Sequence, residues 1–405
     1  MKTFERNHSL DLLRGTALIF IILFHTSVYN FDNINKIDFA NPPILIVLIS
    51  FLILWGGLII LYSGFSNTLM LAGRLGGSNE FKPFGFLIIA GFIYLLVHYL
   101  LIFVFGRWSV DFVNNQPHLT AIASSIRTGS ISFPSISKLY DGTSLSTIAI
   151  NLIVLSLINY ALLRNRGIMK EVRNYSILCT GGLLIMIFSF VRIDLYPLFQ
   201  DAIAEGKTGW ALAGSFFLAN PYPLIPYLAY GLFGSAAALM IYNYRRKLIA
   251  RILIPMGILF LIYGLAGAMR YDKTISTPDY FWYFKTQFEL GIFLILLSVF
   301  LLTFRRARKT RVKIPLILWF SRLSLTIYLL ETLVSELLGK AGHLLFPGWN
   351  GTINGCLLFG AFNVALWAGI LFLWRKIDFR YSLEYFWVKT FRKLGKESGK
   401  LNDLP

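Results

Sequence analysis

Apolar positions along this chain come in unbroken runs of about twenty residues separated by short polar stretches, with no strand-like alternation. A run of that length crosses a bilayer as a helix. The pattern predicts ten membrane helices near 9–29, 43–72, 84–106, 143–163, 174–193, 221–243, 249–269, 281–304, 315–337 and 352–374. The second run is too long for one straight span, so its end, Gly64 to Arg74, is expected to emerge or bend. Two connections are long, 107–142 and 194–220. The first, with Asn114, Asn115, Gln116 and His118, reads either as a cover over an outer cavity or as a solvated loop. The second contains GWALAGSFFL, which suits a short helix on the outer surface. After Trp374, YSLEYFWVKTFRKLGK interleaves aromatic and basic residues, as a helix lying on an anionic membrane surface does. The expected fold class is all-α: a polytopic integral membrane helical bundle of about ten transmembrane helices. Residues 1–374 form one transmembrane domain and 375–405 a basic cytoplasmic tail.

Composition agrees. Hydrophobic residues make up 56% of the 405 positions and charged residues only 14%, which excludes an ordinary soluble domain. A net charge of +18 would suggest nucleic acid in a soluble chain. Here the Lys and Arg residues concentrate in alternate connections, so no nucleic-acid partner is inferred. Arg164, Arg166, Lys170 and Arg173 fill one connection, Arg305 to Lys313 another, while Asp194, Asp201 and Glu205 mark the opposite set. By the positive-inside rule both termini are cytoplasmic in a cell-membrane protein. Cys179 and Cys356 form no disulfide framework, and the histidines show no metal-ligand spacing.

Candidate chemistry starts in the first run, SLDLLRGTALIFIILFHTSVY, which carries Asp11, Arg14 and His25. An ionisable residue inside a membrane helix is costly and faces protein or a water-filled cavity. Eleven residues at about 100° each return Arg14 and His25 to nearly one face, roughly 16 Å apart. Asp11, one turn before Arg14, can pair with it. In the ninth helix Arg322 lies at the depth of Arg14, and Glu331 at the depth of His25. Arg14, Arg322 and the amides of helix N-termini would form a cytoplasmic anion site; alternatively Arg322 snorkels to the headgroups. Glu331 would hold the His25 imidazole in one tautomer. Glu289 reads as an ion pair with Lys285, and His98 as a packed or interfacial histidine.

The ten residues between Arg14 and His25, within SLDLLRG and a run ending in FH, resemble the signature of membrane acyltransferase family 3. The opening is also similar to bacterial and archaeal relatives of heparan-alpha-glucosaminide N-acetyltransferase. ILYSGFSNTLM, NPYPLIPYLAYGLFG and SRLSLTIYLLE resemble later segments of the same superfamily, in the same order. Two departures stand out. Glu331 follows YLL where relatives often carry His, and no histidine lies between Ser27 and Pro43, where the acetyltransferase branch places its catalytic one. The resemblance implies acyl, most simply acetyl, transfer from acetyl-CoA to a sugar hydroxyl or amine of a glycan or lipid-linked sugar. It implies His25 as base; the residue pattern adds Glu331 beside it by matched depth, Asp11 fixing Arg14, and Arg14, Arg322, Ser63 and Asn67 on the donor side, Ser63, Ser66 or Asn67 serving the oxyanion. Membrane lipids are further partners; the oligomeric state is open, a homodimer included. The rival classes are a secondary transporter with a proton or solute path along Arg14 and His25, and a non-enzymatic sensor or scaffold.

Overall fold

The computed structural model describes residues 8–28, 30–32, 55–75, 81–106, 109–111, 116–118, 120–219, 221–271, 278–303 and 315–395. In chain order the helices are α1 (His8–Val28), α2 (Trp55–Arg74), α3 (Phe81–Leu100), α4 (Ala121–Thr128), α5 (Ser144–Leu163), α6 (Glu171–Phe188), α7 (Val191–Ala204) and α8 (Thr208–Leu218). They continue as α9 (Leu224–Tyr242), α10 (Ile254–Ala268), α11 (Tyr280–Thr303), α12 (Pro315–Arg322), α13 (Ser324–Leu345), α14 (Ile353–Arg375) and α15 (Leu383–Gly395). One short ladder, β1 (Ser109–Asp111) antiparallel to β2 (Gln116–His118), interrupts them. Among the described residues eight helices are long and apolar enough to cross a membrane, and ten spans result if each of two bent pairs counts as one. The chain is a multi-pass helical membrane protein.

Three elements differ from the sequence pattern. Gly64 to Arg74 continues α2 without a bend. Gly64 is there for close packing, since a Cβ on it would meet the backbone of Gly231. Residues 43–54 of that predicted run lie outside the described set. The connection 194–220 begins inside a helix: α6 and α7 form a pair bent by 65°, whereas α8 is the short helix that GWALAGSFFL predicts. Ser189 sits at the bend, donating its hydroxyl to the Met186 carbonyl at 2.8 Å. Arg192, which reads in sequence as the end of a span, is wholly buried against the Trp282 ring, 4.0 Å from its centroid. Finally, the predicted helix 315–337 breaks at Leu323. Its arms, α12 and α13, are bent by 94°, and α13 runs on to Leu345.

The described residues divide into two compact units. One lies within Gly56–His98 and Leu139–Arg306, the other within Arg6–Trp55, Tyr99–Lys138 and Ala307–Pro405. In lipid, apolar burial supplies little drive for helix association, so close packing and internal hydrogen bonds carry it. In the first unit α9 is buried along nearly its whole length. Asn159 donates to Thr68 Oγ1 at 2.9 Å and to Ser235 Oγ at 3.3 Å. Lys285 reaches Glu289 at 3.4 Å, as the i, i+4 spacing predicts. His98 is buried, its Nδ1 2.9 Å from Thr143 Oγ1.

In the second unit α1 packs on α12, α13 and α14. Leu18, Ile22, Phe320, Leu323, Ile327, Trp367 and Leu371 close one apolar cluster, and Phe379 completes it from beyond α14. Two glycines allow the helices this close. A Cβ at Gly15 would overlap the Ile317 carbonyl, and one at Gly360 would overlap the Ser27 hydroxyl.

Candidate active site

The second unit gathers the polar groups of the first helix. Unbroken α1 carries Arg14 and His25 on one face, eleven residues and about 16 Å apart. Arg14 donates from Nε to Ser321 Oγ at 2.8 Å and from a terminal nitrogen to the Ser321 carbonyl at 2.6 Å. That carbonyl belongs to the end of α12, where the helix dipole favours a cation. Asp11 is 4% exposed and stands 3.9 Å from the guanidinium, with Ser321 Oγ 3.5 Å from Asp11 Oδ1. Asp11 and Ser321 therefore fix the planar fork of Arg14 from two sides.

Farther along, His25 Nδ1 meets Glu331 Oε1 directly. The Glu331 side chain is 2% exposed and that of His25 15%. A carboxylate acceptor at Nδ1 selects the tautomer protonated there and leaves the lone pair on Nε2. The imidazole is flanked by the rings of Phe24 and Tyr328, at centroid distances of 5.8 and 6.4 Å. The sequence places His25 and Glu331 at equal depth, and the bend at Leu323 still lets α13 bring them together.

A third station follows one to two turns on. Arg127 of α4 grips Glu336 with two bonds, Nε to Oε2 at 2.5 Å and a terminal nitrogen to Oε1 at 2.8 Å. The same nitrogen reaches Asn30 Oδ1 at 3.2 Å, and Lys340 donates to the Ile126 carbonyl at 2.9 Å. α4 is thus clamped to α13 close to the His25–Glu331 pair. The sequence gives Arg127 only as a loop charge. The available signal was Glu336, a second acid on the same apolar helix as Glu331.

The remaining expected residues have partners of their own. Arg322 stacks over the Phe379 ring, 5.1 Å from its centroid. The amides at the start of α13 do not form an open anion site, because Glu384 takes two of them: Leu325 N–H at 2.7 Å and Thr326 N–H at 3.1 Å. Ser63 and Asn67 belong to the first unit. There Asn67 donates to the Ser63 carbonyl at 2.8 Å and hydroxyl at 3.0 Å. With Thr68, Ser156 and Asn159 they line a small crevice whose other wall is Leu71, Leu87, Leu152 and Leu155. Among the described residues no group of His, Cys, Asp or Glu could hold a metal ion. No protein-family model and no curated protein compared with the chain matches it.

Proposed function

We propose that this protein is an integral membrane acyltransferase that moves an acyl group, most simply acetyl, from cytoplasmic acyl-CoA to a sugar hydroxyl or amine of an extracytoplasmic glycan or lipid-linked sugar. The observation that carries the proposal is the buried Glu331 carboxylate on His25 Nδ1, on the same helix face as a fixed arginine. An imidazole oriented this way is a general base. The acceptor O–H or N–H approaches Nε2 and loses its proton as it attacks the thioester carbonyl. The carbon–sulfur bond breaks, and the CoA thiolate leaves and recovers a proton from the imidazolium. Glu331 holds the tautomer and stabilises the imidazolium. Arg14, held by Ser321 and Asp11, presents a cation to the anionic donor. The motif resemblance of the first, second, sixth and ninth predicted helices supports the same reading. The basic alternate connections support placing both termini in the cytoplasm of a cell-membrane protein.

The experiment is acetyl-CoA binding to purified protein by calorimetry. Wild type binds saturably, His25→Ala nearly as well, and Arg14→Ala at least tenfold more weakly. No binding by folded wild type refutes the assignment. The bent helix pairs, at 65° and 94°, favour a secondary transporter as the second reading. Uptake into liposomes without thioester cleavage would support it.

A further inference from the structure

The chain beyond α14 does more than trail along the membrane. It turns sharply through residues 376–382, with Asp378, Phe379 and Tyr381 at φ 53°, 55° and 68°, left-handed backbone that non-glycine residues avoid. Such a turn persists only where its surroundings fix it. Here Phe379 is buried in the α1–α12–α14 cluster, and Trp374 Nε1 donates to the Arg380 carbonyl at 2.7 Å. Ser382, also buried, caps α15 by accepting from Tyr385 N–H at 3.0 Å.

The turn delivers Glu384 to the start of α13. Oε1 accepts from the Leu325 and Thr326 amides, and the Thr326 hydroxyl donates to Oε2. Leu383 N–H in turn donates to Thr326 Oγ1 at 2.9 Å. The first amides of a helix have no partner within it, and α13 begins abruptly at a 94° break. Leu323, the residue before it, caps with no side chain. Glu384, 59 positions beyond Leu325 and 58 beyond Thr326, supplies the missing acceptor. Less than two turns later the same helix presents Glu331 to His25.

The outer face of the tail has its own character. Over residues 375–395 the sequence holds six basic residues against two acids, Asp378 and Glu384; Arg375, Lys376, Arg380 and Lys389 are exposed, while Glu384 is turned to the start of α13. Tyr381 and Phe386 are exposed beside this positive charge. That combination fits an anionic phospholipid surface.

We propose that Glu384 is a positioning residue: α15, seated on an anionic lipid surface, uses the Glu384 side chain to fix the first turn of α13 and so the placement of Glu331 against His25. The proposal concerns the chain's own contacts and stands whether or not acyl transfer is the reaction.

The test uses the full-length protein in nanodiscs of phosphatidylcholine, with or without about one third phosphatidylglycerol. Amide hydrogen exchange is read at the start of α13, with the imidazole nitrogen resonances of histidine-labelled protein, the His25 signal being assigned with His25→Asn. Glu384→Ala should speed exchange at Leu325 and Thr326 about fivefold, the loss of one helix cap, and should move the His25 signal. Glu384→Gln, which keeps an acceptor oxygen, should restore both. Phosphatidylglycerol should slow exchange there in wild type and not in Glu384→Ala. Unchanged exchange in Glu384→Ala, equal behaviour of Gln and Ala, or indifference of wild type to lipid charge would each overturn the proposal. Should Glu384→Ala not fold, the lipid comparison on wild type still decides.

Discussion

Glu331→Ala is the substitution with the most to say about this site. The carboxylate is 2% exposed and accepts from His25 Nδ1 inside the second unit. A hydrogen bond involving a charged group contributes about 1.5–3 kcal/mol, and a stranded buried donor costs a similar amount. The Ala variant should therefore lose about 2 kcal/mol, a fall in Tm of roughly 2–3 °C for a chain of 405 residues. Chemistry should suffer more. Without the acceptor, the imidazole no longer prefers the tautomer with its lone pair on Nε2, and loss of that orientation costs about 10²–10⁴ in rate. Glu331→Gln separates the two effects. Its amide can accept from Nδ1–H or donate to Nδ1, so stability should largely return while turnover recovers only in part. Thermal unfolding in detergent and release of CoA thiol in nanodiscs read the two arms. Wild-type stability and turnover in Glu331→Ala would refute the pairing as a structural and catalytic unit.

Further outcomes follow from other contacts. Arg14→Lys keeps the charge but loses the rigid planar fork that bonds the Ser321 hydroxyl and carbonyl from two nitrogens, so donor binding should weaken severalfold by calorimetry, with Ala weaker still. Gly15→Ala forces a methyl into the Ile317 carbonyl and should lower stability by about 1–3 kcal/mol in thermal unfolding without involving any polar residue. A double-mutant cycle on Arg127→Ala and Glu336→Gln should give a coupling of about 1–3 kcal/mol, since Glu336 is buried and doubly bonded. Burial pushes the Glu384 carboxyl above its usual range, against its hydrogen bonds from Thr326 and Leu325. A raised folded-state pKa means that its stability contribution is present below the ordinary carboxylate range and lost as pH rises through the raised value. Glu384→Gln should thus flatten the fall in Tm between mildly acidic and neutral pH.

The membrane class and most helices are legible in the sequence because a twenty-residue apolar run admits few structures in lipid. The His25–Glu331 pairing is legible as matched depth on two helices entering from one side. The bend at Leu323 is not, since no nearby side chain caps α13 and the carboxylate that takes the Leu325 and Thr326 amides, Glu384, lies about sixty residues downstream. The helix at Val191–Ala204 hides for a related reason, since Arg192 looks like a span end until the Trp282 ring is seen to cover it. Ser321 and Arg127 are an ordinary serine and an ordinary loop arginine until the fold sets them against Arg14 and Glu336.

The most direct test of the central claim is thiol release from acetyl-CoA by the purified protein in nanodiscs, with a cell-envelope glycan fraction as acceptor and His25→Ala alongside. Transfer with His25 as base requires acceptor-dependent release by wild type and at least a hundredfold loss in His25→Ala, which still binds the donor. Equal release by the two proteins, or none from folded wild type in the presence of acceptor, would contradict it.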